Sequence, residues 1–312
     1  MDRGQLIRAG DHRAIAGLIR DLDDERPGAA AELAALQAGR EPPFVVGITG
    51  PPGAGKSTLV DGVCARFRAR GERVGIVAVD PSSPNGGGAI LGDRIRMQAH
   101  ATDPGVFIRS LGTRGASGGL SASAGHVIAA LGAGGFATVL LETVGVGQAE
   151  VDVAAMADVV VVVTVPGLGD DVQALKAGLL EIADILVVNK ADRADAERSL
   201  ADLRGMLELR RITGAAGADD VALLRTVATT GEGLDELLAA LEVARIAPAS
   251  ARRGHDAARR AEHLLVARVA ADARRALRPG GIAADLVEGL VAGRLDPKSA
   301  VDALMDRLRG GY

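Results

Sequence analysis

The sequence predicts an α/β fold, a mainly parallel sheet flanked by helices, with a helical extension before it and a helical arm after it. Three observations lead there. From residue 44 onward, short β-branched runs that are apolar on both faces alternate with helical stretches, the pattern of parallel strands covered on both sides. The first run passes through a glycine-rich turn directly into a helix, "GITGPPGAGKST" at 47–58. Hydrophobic residues make up 48% of the 312, yet aromatics are 2% and Trp is absent, so the core must be built from Val, Leu, Ile and Ala.

Taken in order, residues 2–39 place apolar side chains at helical spacing (Leu6, Ile7, then Ala14, Ile15, Leu18, Ile19, Leu22, then Leu33, Leu36), which predicts a short helical hairpin ended by "REPP" at 40–43. The strands follow as "FVVGITG", "RVGIVAVD", "VFIRS", "ATVLLET", "DVVVVVTV", "DILVVNK" and "LRTVA". The polar, Arg-rich stretch 247–260 marks a boundary, and "AEHLLVARVAADARRAL" and "KSAVDALMDRLRG" beyond it read as amphipathic helices. Such a tail is either a solvated cap or a dimerisation arm. The expected units are an N-terminal helical extension at 1–43, a nucleotide-binding domain at 44–246 and a C-terminal helical arm at 247–312.

The net charge of −4 provides no basic footprint for nucleic acid or an anionic membrane. A single cysteine, Cys64, excludes a disulfide framework within the chain and reads as a small buried hydrophobe. The N-terminus is charged, and the longest apolar run, "VVVVVTV", is too short to span a bilayer. A cytoplasmic protein is expected.

Gly50, Gly55, Lys56 and Ser57 complete G-x-x-x-x-G-K-[ST] between a strand and a helix, the context of a P-loop NTPase. Glycines let the backbone wrap phosphates with its N–H groups pointing inward at the helix N-terminus. Gly50, Pro51, Pro52, Gly53, Ala54, Gly55, Lys56, Ser57 and Thr58 are therefore nucleotide-binding candidates. Lys56 would bridge the β- and γ-phosphates and the Ser57 hydroxyl would ligate Mg²⁺.

"NKAD" at 189–192 follows a buried-looking strand, which puts Asn189, Lys190 and Asp192 at the carboxyl edge where ligands bind. The Asp192 carboxylate can accept from N1–H and the exocyclic amine of guanine, whereas adenine opposes it with an unprotonated N1. The expected ligands are GTP and GDP. After the next strand, Ala228 and Thr229 would offer backbone N–H groups to the base.

Asp80 ends "VGIVAVD", Glu142 ends "ATVLLE" and Asp93 lies in "GGGAILGDRIRM"; with Ser57 they form the expected metal set, each carboxylate having a helix cap or a solvated loop charge as its alternative. Gly145 in "ETVGVGQ" could sense the γ-phosphate, and "SPNGGGAILGD" has the composition of a switch. Lys56, Asp93, Glu142 and Gly145 are the candidates for catalysis. No general base stands out, so slow intrinsic turnover is expected.

The runs "GPPGAGKST", "VDPSSP", "GGAILGDRIRM", "TRG", "GGLS", "ETVGVGQAEVDVA", "VPGLGDDVQALKAG" and "NKAD" resemble the methylmalonyl-CoA mutase-associated GTPases of the MeaB/ArgK type, over roughly residues 5–310. The resemblance implies a SIMIBI-class G protein, homodimeric through its C-terminal helices. It further implies a chaperone that gates adenosylcobalamin loading and protects or reactivates a cobalamin-dependent acyl-CoA mutase, the cobalamin being held by that partner. It gives Lys56, Ser57, Asp80, Asp93 and Glu142 phosphate and magnesium roles, Asn189, Lys190 and Asp192 the guanine, and Asp170, Asp171 and Lys176 a part in reporting nucleotide state. The chain departs from the pattern at Asn85 and Gly86, at Ala116 and Ser117, and at "VAT" 227–229.

Two other functions compete with this one. A metal-insertion GTPase would advertise Cys-rich motifs or His runs, whereas this chain has Cys64 and scattered His12, His100, His126, His255 and His263. A kinase or ATPase of a basic amino-acid transport system would need an acceptor pocket or a membrane-facing helix, and the sequence offers neither.

Overall fold

A computed structural model describes residues 2–80, 100, 102–112, 119–143, 153–167, 179–213, 221–247, 265–266, 269–270 and 272–310. Within them lies a seven-stranded parallel sheet of β1 (Phe44–Thr49), β2 (Val74–Asp80), β3 (Val106–Gly112), β4 (Thr138–Thr143), β5 (Val159–Thr164), β6 (Ile185–Asn189) and β7 (Ala222–Thr226). The order is β3-β2-β4-β1-β5-β6-β7 and every pairing is parallel. All seven strands coincide with the β-branched runs.

Alternation along the strands divides the core. Val45, Val139, Leu141, Val160, Val162 and Leu186 face one side, while Val46, Ile48, Leu140, Val161, Val163 and Val187 face the other, as the two-residue period requires. The second face is covered by α4 (Lys56–Ala69) and α7 (Leu234–Ile246) through Leu59, Val63, Phe67, Leu237 and Leu241. The first is covered by α5 (Gly119–Ala133), α6 (Ala196–Ile212) and the N-terminal helices.

Those N-terminal residues form three helices rather than a hairpin: α1 (Arg3–Ala9), α2 (His12–Asp23) and α3 (Ala29–Gln37). The extra break falls at Gly10-Asp11, where the Asp11 carboxylate accepts from the Ala14 N–H and starts a new helix. Ile7, Ile15, Leu18 and Ile19 are fully buried in the same cluster as Val127, Leu131 and Phe136, so the N-terminal helices share the core of the sheet. Beyond α7, α8 (Ala284–Val291) and α9 (Pro297–Gly310) pack on each other around Ala283, Leu286 and Leu304. The sequence pattern anticipated α9. It did not reveal α8, whose short span is flanked by Gly280, Gly281 and Gly293 and interrupted by Gly289.

Because all strands run the same way, their carboxyl ends share one edge. Thr49, Asp80, Thr143, Thr164, Asn189 and Thr226 are the last residues of β1, β2, β4, β5, β6 and β7. The chain leaves β1 toward β2 on one side, with β5, β6 and β7 on the other. The turn after β1 therefore opens at a topological switch point, where such sheets bind ligands.

Candidate functional site

The turn at that switch point is Gly50–Gly55, entering α4 at Lys56. Two of its three glycines are sterically required. Gly50 has φ +138°, and a Cβ there would lie 2.0 Å from the Val163 carbonyl oxygen; Gly55 has φ +87°, and a Cβ there would lie 2.4 Å from Asn189 Nδ2. Lys56 is 6% exposed, and its Nζ donates to the carbonyls of Gly50 (2.8 Å) and Pro51 (2.9 Å). An ammonium is thereby held inside the loop, at the positive end of α4, where anionic phosphate is favoured. Pro52, Gly53 and Thr58 are exposed on the rim.

Ser57 and Glu142 meet, although 85 residues separate them: Ser57 Oγ donates to Glu142 Oε1 at 2.7 Å. Glu142 lies beside Ile48 of β1 in the parallel register and is 1% exposed. A hydroxyl and a carboxylate at a phosphate loop are hard oxygen donors of the kind Mg²⁺ takes, so the residues present fit the ion. Asp80 ends β2, which pairs with β4. Asp93, Gly145, Asp170, Asp171, Lys176, Asn85, Gly86, Ala116 and Ser117 lie outside the described residues. No cluster of three or more His, Cys, Asp or Glu with metal-binding geometry occurs among the described residues.

The second half of the site is built on β6 and β7. Asn189 is 2% exposed and bonded at both ends of its amide: its Nδ2 donates to the Ala54 carbonyl at 2.8 Å, while its Oδ1 accepts from Thr226 Oγ1 at 3.1 Å and from the Ala228 N–H at 3.0 Å. The Ala228 amide, expected at the base, thus serves Asn189 in this structure. Lys190 follows in the left-handed region at φ +57°, and its Nζ donates to the Gly53 carbonyl at 2.9 Å. A non-glycine residue there is uncommon, and such conformations gather at ligand sites. Asp192 and Thr229 are exposed on the same edge.

Thr226 is a site residue that pattern reading missed. The available signal was register: β6 pairs with β7 so that Asn189 lies beside Thr226. Cys64, by contrast, has no chemistry to offer. Burial, with Asp61 adding to it, pushes its thiol up to about 12, far from the thiolate that would react.

Comparison with known proteins places the chain in a family. The family model described as methylmalonyl Co-A mutase-associated GTPase MeaB matches residues 20–277. A Pyrococcus abyssi protein that carries a GTPase name is 42% identical over 311 residues, covering 98% of this chain and 96% of that one. The Escherichia coli GTPase ArgK is 44% identical over 163 residues, 52% of this chain and 49% of its own. A mouse protein named methylmalonic aciduria type A homolog, mitochondrial, is 39% identical over 197 residues, 62% of this chain and 47% of its own. Among solved structures, one titled LAO/AO transport system kinase superposes with a TM-score of 0.67 at 23% identity, covering 98% of this chain and 96% of that one, which supports the fold. No helix among the described residues is long and apolar enough to cross a membrane. With a family match over residues 20–277, this chain belongs to the methylmalonyl Co-A mutase-associated GTPase MeaB family.

Proposed function

We propose that this GTPase serves a cobalamin-dependent acyl-CoA mutase in the cytoplasm, gating adenosylcobalamin loading and protecting or reactivating the mutase, with the cobalamin held by the mutase. One observation carries the reading: the match to a mutase-associated family over residues 20–277, on a chain whose phosphate and base loops are physically joined through Asn189. The proposed units are the extension at 1–43, the GTPase domain at 44–246 and an arm at 247–312 that forms a homodimer.

In this reading Gly50–Thr58 wrap the triphosphate, and Lys56 exchanges the Gly50 and Pro51 carbonyls for the β- and γ-phosphate oxygens. Lys56 then keeps its charge paired while supporting the charge that develops on the transferred group. Ser57, Asp80, Asp93 and Glu142 would hold Mg²⁺, which when bound supplies charge neutralisation at the β- and γ-phosphates. Glu142 orients the Ser57 hydroxyl before nucleotide arrives. Gly145 would meet the γ-phosphate through its N–H. Asn189 and Lys190 hold the base loop against the phosphate loop, Asp192 accepts from guanine, and Ala228 and Thr229 border the base. Asp170, Asp171 and Lys176 would carry the nucleotide state to the mutase.

The test is GTP hydrolysis with and without a purified cobalamin-dependent acyl-CoA mutase from the same organism, with ATP as control. A slow GTP-specific rate that rises when mutase is added supports the reading. Turnover indifferent to every such mutase would remove the partner and leave the GTPase in place.

A further inference from the structure

Two buried threonines join the strand that precedes the phosphate loop to the strand that carries Glu142. Thr143 Oγ1 donates to Thr49 Oγ1 at 3.0 Å, and both residues are 0% exposed. Thr49 ends β1 and is followed by Gly50, whose carbonyl accepts from Lys56. Thr143 ends β4 and follows Glu142, whose carboxylate accepts from Ser57. One hydroxyl contact therefore sits between the acceptor of the loop lysine and the acceptor of the loop serine.

We infer that Thr49 and Thr143 are positioning residues for GTP hydrolysis, fixing the Glu142 carboxylate against the phosphate loop. The inference rests on the reading of Lys56, Ser57 and Glu142 as the phosphate and metal site. The physical argument is one of geometry. Parallel strands fix their mutual register through the backbone ladder, which pairs Ile48 with Glu142. The β1–β4 register ends there, and Thr49 and Thr143 are registered outward instead, to Val162 of β5 and Val79 of β2, so a side-chain contact is what holds their spacing to each other. A dry hydroxyl pair does this well, because either hydroxyl left alone is a buried polar group without its partner. Small displacements of catalytic groups cost rate steeply, while ground-state nucleotide contacts along the rest of the loop remain.

The experiment compares Thr143→Val, Thr49→Val, the double Val variant and Thr143→Ser by steady-state GTP hydrolysis, GDP affinity and thermal unfolding, with Glu142→Gln alongside. Each single Val variant is expected to lower kcat by about five- to tenfold with KM and GDP affinity changed less than about twofold, and to lower Tm. The double variant removes both hydroxyls, so its Tm returns toward that of the parent; its kcat stays low, and Thr143→Ser keeps kcat near the parent value. Recovery of kcat together with Tm in the double variant would overturn the positioning role, since the pair would then be structural only. Single variants with unchanged kcat would overturn it too, provided Glu142→Gln is impaired. If Glu142→Gln turns over normally, the site reading itself fails.

Discussion

Asn189 Nδ2 donates to the Ala54 carbonyl at 2.8 Å across 135 residues of sequence, so the residue that opens the base loop is also a strut of the phosphate loop. Its other end is fixed by Thr226 and the Ala228 N–H. The loops after β1 and β6 therefore share one buried amide. Replacing it by Ala removes three hydrogen bonds and strands the Ala54 carbonyl. Each net hydrogen bond is worth about 1 kcal/mol, so Asn189→Ala should weaken GTP by about 100-fold and lower Tm. Thr226→Val, which removes one of the three, should weaken GTP by about fivefold. Titration with a fluorescent GTP analogue distinguishes them, and equal losses from both variants would show that the contacts do not act separately.

Base selection is proposed for Asp192. It is exposed at the carboxyl edge, three residues after Asn189. Asp192→Asn replaces an acceptor by an amide that can pair with the 2-oxo group of xanthine. GTP binding should fall by about 100-fold or more while xanthosine triphosphate gains. Competition between the two triphosphates measures it, and an unaltered preference would take the base away from Asp192.

Lys56 holds its ammonium on two carbonyls at 6% exposure. Lys56→Ala leaves those carbonyls without their donor and the transferred phosphoryl group without its nearest cation. Turnover should fall by at least about 100-fold, together with any nucleotide-dependent effect on a mutase. Retained hydrolysis would move catalysis elsewhere in the loop.

Much of this arrangement was legible in the residues. The central strands were readable because β1, β4, β5 and β6 are runs buried on both faces, whereas β7 is half-exposed, and the phosphate loop was readable from its glycine spacing, Gly50 and Gly55 occupying positions a side chain would block. Pairings between strands were not. Thr226 reaches Asn189, and Thr143 reaches Thr49, only because of the β3-β2-β4-β1-β5-β6-β7 order, which no local pattern encodes. The third N-terminal helix and α8 were hidden for a different reason: short helices are fixed by caps and tertiary contacts more than by periodicity.

Away from the site, the Arg68 guanidinium grips Asp103 through Nε (2.8 Å) and Nη2 (2.9 Å), tying the end of α4 to the turn before β3. That pair, with the Gly105 N–H, holds the Asp103 carboxyl below its ordinary 3.8. A carboxyl lowered by folding stabilises the protein above its ordinary pKa, and the gain is lost as pH falls through the lower folded value. Asp103→Asn should therefore lower Tm by a few degrees near neutrality, and the gap should close below about pH 4 as the parent carboxyl becomes neutral. Calorimetry from pH 3 to pH 7 reads it directly. A gap independent of pH would mean the loss comes from packing instead of charge.

Arg66 connects the helix after the phosphate loop to the loop after β7. Its Nη2 donates to the Gly231 carbonyl at 3.1 Å, its Nη1 to the Gly62 carbonyl at 3.2 Å, and its Nε to Asp235 Oδ1 at 2.5 Å. The 227–232 turn it holds is closed by a bridge from Val227 to Glu232 and contains Ala228, the donor to Asn189. Arg66 thus holds the turn whose Ala228 amide donates to Asn189. Asp235 is 82% exposed, so that ion pair contributes little, and the backbone carbonyls are the partners that matter. Arg66→Met should raise KM for GTP by about three- to tenfold with kcat changed less than about twofold. Arg66→Lys should restore only part of this, because one ammonium cannot reproduce a planar fork with donors in fixed directions. Asp235→Asn should leave both constants near the parent values. If Asp235→Asn matched Arg66→Met, the surface ion pair and not the carbonyl contacts would be holding the loop, and KM for GTP in the parent would then rise with ionic strength.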